Sequence, residues 1–456
     1  MKIQLVKAPT QNTGMPEHDW YTPLNLIWLA NYLCQYDYEV EILDGQILTI
    51  EEILSRISAD LVGVSFDILS IDKFDQIVYQ AKSRGCFTLA GGHLATALGE
   101  RLLIDNPNLD AVACYDGEEA LLGVVRTVEK KKKLSKEIPN LIFRQNGTIV
   151  KTIVRDVNLS DIPLPKRDVG GIQLDDYIKN FQETKKRLGF DFNYNRPTNT
   201  YSHKGCLFRT NGNGCSFCSR VDQKFRLKPA KRVYEEYKYL ERTFDIDYIS
   251  DFSDSWIYTP FVRDLVEQYE RKGKLSASIR VYGDVRMVTA DNARMMRQIG
   301  VNTVLLGIES GNEDVLKKNG KPTTRKQILA AVDILAANDM KIADAYVLGL
   351  IGETRESVND TISLAKEIRE RCKTEISYWN LMTPLPGSRI WNILVHEKYD
   401  LYPDGVFHID TEYLERVSIK KFTQLGIHGY EYLVDRREEM LSLSRIASSE
   451  FVTANR

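Results

Sequence analysis

The sequence predicts an α/β protein: an open, Rossmann-like parallel sheet, then a second series of strand–helix units forming a full or partial α/β barrel. Three observations predict this. From residue 1 to about 130, short runs of Val, Ile and Leu alternate with segments of helical apolar spacing. The same alternation returns between about residues 195 and 390. Between the two series lies Ile162-Pro163-Leu164-Pro165-Lys166-Arg167, whose two prolines favour an extended linker. A chain of 456 residues is also long enough for two or three domains.

The elements follow in order. Ile3-Gln4-Leu5-Val6 reads as a strand, and Leu24 to Tyr36 has apolar residues at helical spacing. Val40-Glu41-Ile42-Leu43 is a second strand, ending at Asp44-Gly45. Leu61-Val62-Gly63-Val64-Ser65 is a third, Phe87-Thr88-Leu89-Ala90 a fourth ending at Gly91-Gly92, and Ala111-Val112-Ala113 a fifth. Strands this rich in Val, Ile and Leu are buried on both faces of a parallel sheet. Ligands of such sheets bind beyond the strand C-termini, where Ser65, Gly91 and Gly92 lie. Asn140 to Val154 is a hairpin with Asn146-Gly147 as its turn. In the second series the strands are Tyr248-Ile249, Ser276-Ala277-Ser278-Ile279, Thr303-Val304-Leu305-Leu306, Ala345-Tyr346-Val347-Leu348 and Ile376-Ser377-Tyr378-Trp379.

Composition narrows the function. Lys and Arg number 61 against 63 Asp and Glu, a net charge of −2, so no polyanion partner is indicated. Lys130-Lys131-Lys132-Lys133 reads as a solvated helix end in a neutral protein. No apolar run is long enough to span a bilayer, and the N-terminus lacks a signal-peptide core, so a cytoplasmic location is expected. Seven cysteines in this length are no disulfide framework. Cys34, Cys86, Cys114 and Cys372 are scattered. Cys206, Cys215 and Cys218 are clustered, with the Cys-x-x-Cys pair following the glycine-rich stretch Asn211-Gly212-Asn213-Gly214. Three thiolates hold three irons of a [4Fe–4S] cluster and leave the fourth iron open. Zinc is the rival, with three protein ligands and water or with His203 as a fourth ligand. Spacing alone leaves both metals open.

On these residues the sequence resembles the radical S-adenosylmethionine (SAM) superfamily. Eight residues separate Cys206 from Cys215, where the common motif has three, but Phe217 keeps the aromatic before the last cysteine. The resemblance implies that the open iron chelates the SAM amino and carboxylate groups and that reductive cleavage yields a 5′-deoxyadenosyl radical. An external one-electron reductant of flavodoxin or ferredoxin type is implied with it. Other motifs fall in order. Ser253-Asp254 stands where family members bind the SAM amino group, and Arg280 where they meet its carboxylate or ribose. Val304-Leu305-Leu306-Gly307-Ile308-Glu309-Ser310-Gly311 resembles the strand-five motif that supports adenine and ribose, which implicates Gly307 and Glu309. Leu348-Gly349-Leu350-Ile351-Gly352-Glu353-Thr354 resembles the strand-six turn near adenine, and Pro384 to Ser388 the segment closing the core.

The N-terminal domain resembles the cobalamin-binding domain found ahead of the radical domain in one large subclass. The stretches that match are Tyr21 to Leu26, Val40 to Asp44, Asp60 to Ser65, Ala90 to Thr96 and Asp116 to Ala120. The Asp-x-His-x-x-Gly cobalt-ligating motif is absent, since Gly45-Gln46-Ile47 follow Asp44. His93 is either a lower axial ligand or a loop residue.

Together these readings give a Rossmann-like, cobalamin-binding-type domain at 1–155, a linker and lid segment at 156–195, a partial (β/α)6 radical SAM barrel at 196–390 and a short C-terminal region at 391–456. The expected function is a cobalamin-dependent C-methyltransferase acting on a small-molecule intermediate. Its cofactors are a [4Fe–4S] cluster, SAM and cobalamin. The alternatives are a radical SAM enzyme that does not methylate (dehydration, epimerisation, rearrangement or ring closure) and a non-enzymatic metal protein. Phe181, Phe190, Phe192 and Tyr194 are candidates for a lid. The aromatics Tyr399, Tyr402, Phe407, Tyr413, Phe422, Tyr430 and Tyr432 line a pocket or pack against the barrel. No residue is singled out as a catalytic acid, base or radical quencher.

Overall fold

The computed structural model describes residues 1–10, 20–188, 192–209, 214–222, 224–396 and 410–443. The chain divides into two compact units, the first built on Met1–Asn180 together with Ser219–Val221, the second on Phe181–Cys218, Asp222–Leu394 and the helices after Asp410.

The first unit holds a seven-stranded sheet among the described residues. Its strands are β1 (Ile3–Lys7), β2 (Val40–Asp44), β3 (Leu61–Ser65), β4 (Phe87–Gly91), β5 (Ala111–Ala113), β6 (Leu141–Gln145) and β7 (Thr148–Lys151), in the order β2-β1-β3-β4-β5-β6-β7. The first five run parallel. The sheet is mixed, because the hairpin β6–β7 joins it antiparallel to β5. β3 is buried at every position, which explains its unbroken apolar run. Helices Leu24–Cys34 and Glu118–Glu129 cover the sheet with Leu26, Ile27, Leu33, Leu121 and Val125. The helix Ile50–Arg56 starts from a reciprocal cap between Thr49 and Glu52.

Among the described residues, the second unit holds a curled six-stranded parallel sheet, the half-barrel anticipated above. Its strands are β8 (Pro197–Thr200), β11 (Tyr248–Asp251), β12 (Ser278–Gly283), β13 (Val301–Glu309), β14 (Lys341–Leu348) and β15 (Thr374–Leu381), in the order β15-β14-β13-β12-β11-β8. A two-stranded ribbon, β9 (His203–Lys204) with β10 (Arg226–Leu227), precedes β11 in sequence. The sequence pattern identifies five of the six barrel strands. It misses β8, a short edge strand of sequence Pro-Thr-Asn-Thr that opens on the proline an edge position tolerates. Helices Arg325–Ala337 and Arg355–Arg371 begin at capping boxes on Thr324 and Thr354.

Of the proposed lid aromatics, Phe181, Phe192 and Tyr194 are buried and stacked on one another, and Tyr194 stacks on Tyr248 at 3.8 Å. They are packed core in this structure. Phe190 lies outside the described residues, as do Tyr399, Tyr402 and Phe407.

Candidate active site

The cysteine segment is held by the end of β11. Ser253 Oγ accepts the amides of Ser202 and His203 at 2.8 and 3.0 Å and donates to Asp251 Oδ1 at 2.6 Å. Asp251 in turn accepts the Tyr237 hydroxyl at 2.7 Å, so a buried polar cluster fixes the chain entering Cys206. Ser255 continues the clamp. Its hydroxyl donates to Cys206 Sγ at 3.4 Å, and its amide donates to His203 Nε2 at 3.1 Å. His203 is fully buried beside Phe225 and Phe261, and burial pushes its pKa down to about 4. It is therefore a neutral imidazole whose Nε2 lone pair is already used.

Cys215 and Cys218 close the other side of the segment. The Cys218 amide donates to the Cys215 carbonyl at 3.1 Å. Burial, with smaller contributions from Glu309 and the two neighbouring thiols, pushes the Cys215 thiol up to about 12. The thiols thus share one neighbourhood. Among the described residues, no group of three His, Cys, Asp or Glu is set to hold a single ion. A cubane cluster asks something different, with three thiolates on three separate irons. The surroundings suit such an anionic group. Arg209 Nη1 lies 3.9 Å from Cys218 Sγ, and Cys206 and Cys215 both act on the charge of Arg286. Arg286 binds both oxygens of Asp284, at 2.7 and 2.8 Å, and its guanidinium carbon lies 3.6 Å from the ring centroid of Phe208.

Next to this group ends β13. Glu309 stands at φ +66°, and its Oε1 accepts from Lys321 Nζ at 2.9 Å. The same ammonium donates to the Gly307 carbonyl at 2.6 Å. Only 7% of the Lys321 side chain is exposed. Burial alone would depress its pKa, but Glu309, Asp284 and Cys215 outweigh burial and hold it above the ordinary lysine value. A Cβ at residue 307 would stand 2.4 Å from Glu309 Oε1 and 2.9 Å from Lys321 Nζ, so a side chain there would displace this ion pair. Removing one partner of a buried pair typically costs about 3–5 kcal/mol.

The remaining expected positions are distributed around the half-barrel. Asp254 lies in the turn after β11 and is half-buried. Arg280, on β12, is 2% exposed. It donates to the Tyr378 hydroxyl and lies within 6 Å of the Tyr282 and Tyr378 rings, at 5.8 and 5.7 Å. Gly349, after β14, donates its amide to Glu353. Burial raises Glu353 to about 8, against the opposing amide bonds from Gly349 and Leu350. Sequence reasoning did not find Lys321, Ser255, Asn319 or the Asp284–Arg286 pair. Lys321 closes the Lys-rich stretch Lys317 to Lys321, which carries no motif of its own.

In the first unit, Ser65 ends β3 and accepts from Asn25 Nδ2 at 2.9 Å. Gly92 has φ +101°, and a Cβ there would meet Ser65 Oγ at 3.1 Å. At Gly91 an added Cβ would make ordinary contact with Ala113 at 3.9 Å. Asp44, where the Asp-x-His-x-x-Gly motif would begin, is fully buried and bonded to the Tyr177 hydroxyl at 2.5 Å. His93 opens a short helix, and its Nε2 lies 2.5 Å from the Ser219 carbonyl oxygen.

Comparison with known proteins finds two families along the chain. Residues 202–365 match the radical SAM superfamily, and residues 17–125 match the B12 binding domain. The chain is 27% identical over 422 residues to an uncharacterized methyltransferase, PH0819, of Pyrococcus horikoshii, covering 87% of this chain and 83% of that protein. It is 22% identical over 360 residues to the anaerobic magnesium-protoporphyrin IX monomethyl ester cyclase of Rubrivivax gelatinosus, covering 76% of this chain and 60% of the cyclase. The structure resembles OxsB, a cobalamin-dependent S-adenosylmethionine radical enzyme solved with aqua-cobalamin and S-adenosylmethionine bound. The TM-score is 0.68 at 16% identity, over 91% of this chain and 65% of that one.

The chain carries a radical SAM domain and is an enzyme. It also carries a B12 binding domain ahead of the radical domain, and its cofactors are a [4Fe–4S] cluster, SAM and cobalamin. Among the described residues no helix is long and apolar enough to cross a membrane.

Proposed function

We propose that this enzyme transfers a methyl group to an unactivated carbon of a small molecule. The observation that carries the reading is that the three-thiol group, set among Arg209, Arg286 and Lys321, occurs in one chain with a B12 binding domain over residues 17–125, whose parallel strands end at Ser65 and Gly91-Gly92. When bound, the cluster with SAM supplies hydrogen abstraction, and cobalamin supplies a transferable methyl group.

The chain's residues divide the work. Cys206, Cys215 and Cys218 hold the cluster, and Ser255 and Arg209 stabilise its sulfurs. Asp254 receives the SAM ammonium as a charge-assisted acceptor. Arg280, held by Tyr378, meets the SAM carboxylate or ribose. Gly307 and Glu309 support adenine and ribose from the end of β13, and Gly349 borders adenine from the end of β14. Ser65, Gly91 and Gly92 cradle cobalamin. The domain limits that accompany this reading are 1–155, 156–195, 196–390 and 391–456. A flavodoxin- or ferredoxin-type protein supplies the electron. A reducing cytoplasm suits the seven free cysteines.

Ring closure is the second reading, favoured by the likeness to the anaerobic cyclase. Product mass separates the two after anaerobic incubation with SAM, cobalamin and candidate substrates. Methylation adds one CH₂ unit, whereas ring closure adds no carbon. Turnover without a SAM-derived methyl in the product would overturn the methyl-transfer reading.

A further inference from the structure

Lys321 belongs to none of the SAM-binding motifs, yet it is a buried cation beside the cysteine segment. Its position is built from both sides. On one side, the turn Asn319-Gly320-Lys321 is clamped to the cysteine segment. The Ser216 amide donates to the Asn319 carbonyl at 2.9 Å, and the Ser216 hydroxyl donates to Asn319 Oδ1 at 2.6 Å. The backbones touch, because a Cβ at Gly320 would stand 2.6 Å from the Gly214 carbonyl oxygen and 3.7 Å from Cys215 Cα. Fully buried Asn319 also exchanges hydrogen bonds with Ile351, donating at 3.0 Å and accepting at 3.2 Å. On the other side, the ammonium grips the Gly307 carbonyl and the Glu309 carboxylate.

We propose that Lys321 is a positioning residue and fixed counter-charge that couples the cysteine-held cluster to the carboxylate of Glu309. Three thiolates give the cluster a net negative charge, and reduction adds to it. A positive charge held in a water-poor site favours the reduced form, since charge and hydrogen bonding around a cluster set its potential. The same ammonium holds Glu309 in a left-handed backbone conformation that a non-glycine residue rarely adopts. Loss of the lysine therefore disturbs the cluster and the SAM-facing strand end together. This inference rests on Cys206, Cys215 and Cys218 being the cluster ligands.

The test compares anaerobically reconstituted wild type with Lys321→Met, Lys321→Arg and Glu309→Gln. Three quantities are read: iron and sulfide content, the cluster midpoint potential by EPR-monitored titration without SAM, and the SAM dissociation constant by equilibrium dialysis. Lys321→Met is expected to shift the potential negative and to weaken SAM binding at least about tenfold. Glu309→Gln removes the negative partner and is expected to shift the potential positive. Lys321→Arg keeps the charge and stays closer to wild type than Lys321→Met in both measurements. Potentials unchanged in Lys321→Met and Glu309→Gln, or moved in the same direction, overturn the proposal. If Lys321→Met fails to hold a cluster, Glu309→Gln decides, and a potential that does not rise overturns it. Wild type that takes up no iron overturns the cluster assignment itself.

Discussion

Arg280 donates through Nη2 to the hydroxyl of Tyr378 at 2.8 Å, joining β12 to β15. The guanidinium is almost wholly buried and lies near the rings of Tyr282 and Tyr378. An arginine held this way presents its fork with little entropy left to lose on binding. Arg280→Met is expected to raise the SAM dissociation constant at least about tenfold, whereas Tyr378→Phe, which loosens the arginine without removing its charge, should raise it less. Equilibrium dialysis at wild-type iron content checks the order, and equal effects would show that Tyr378 does more than orient Arg280.

Cluster assembly should depend on three cysteines. Replacing Cys206, Cys215 or Cys218 by Ala is expected to abolish the cluster absorbance and EPR signal. Cys34→Ala and Cys372→Ala should leave both intact, because Cys34 is an exposed helix residue and Cys372 donates to the Met340 carbonyl at 3.4 Å, away from the site. Iron analysis after anaerobic reconstitution reads the outcome.

Ser255→Ala removes one hydroxyl that serves two groups, donating to Cys206 Sγ and accepting the Leu207 amide at 3.2 Å. The cluster should still assemble, with its midpoint potential shifted negative, because hydrogen bonds to sulfur favour the reduced state. The protein should lose about 1 kcal/mol of stability, measurable by denaturant unfolding of the apoprotein.

Gly92→Trp should eliminate cobalamin binding while leaving the iron–sulfur spectrum unchanged. Residue 92 is at φ +101°, with Ser65 Oγ 3.1 Å from the place of a Cβ, so a side chain there is strained and crowds Ser65 at the end of β3. Incubation with hydroxocobalamin, desalting and a corrin absorbance scan distinguish the variant from wild type.

Glu353 gives a pH dependence of known sign. Its folded pKa, about 8, lies above the unfolded value near 4.5, so the folded protein binds an extra proton between those two values. Stability from this group is fully present below about pH 4.5 and declines as the pH rises towards 8, by at most about 1.4 kcal/mol per pH unit. Glu353→Gln is expected to flatten that part of the melting temperature–pH profile of the apoprotein. A profile as steep as wild type would show that Glu353 does not hold the proton.

Much of this enzyme is legible in one dimension because its determinants are local. Strands β1 to β5 announce themselves as apolar runs, since a strand buried on both faces has no polar face to alternate with. The three clustered cysteines and the glycine turns after the strands are likewise short-range patterns. What tertiary structure alone decided is which distant residues share a low-dielectric space. Strand β8 is too short and polar to be seen, and becomes a strand only by pairing with β11. His203 looks like a metal ligand in sequence, but the fold commits its Nε2 to the Ser255 amide, 52 residues away. Lys321 belongs to no motif in the sequence, and only the fold brings the turn at Gly320 to the Cys215 backbone and buries its ammonium against Glu309. A charge chosen by burial carries no signature of its own in sequence, because the energy that keeps it there comes from partners brought together by the fold.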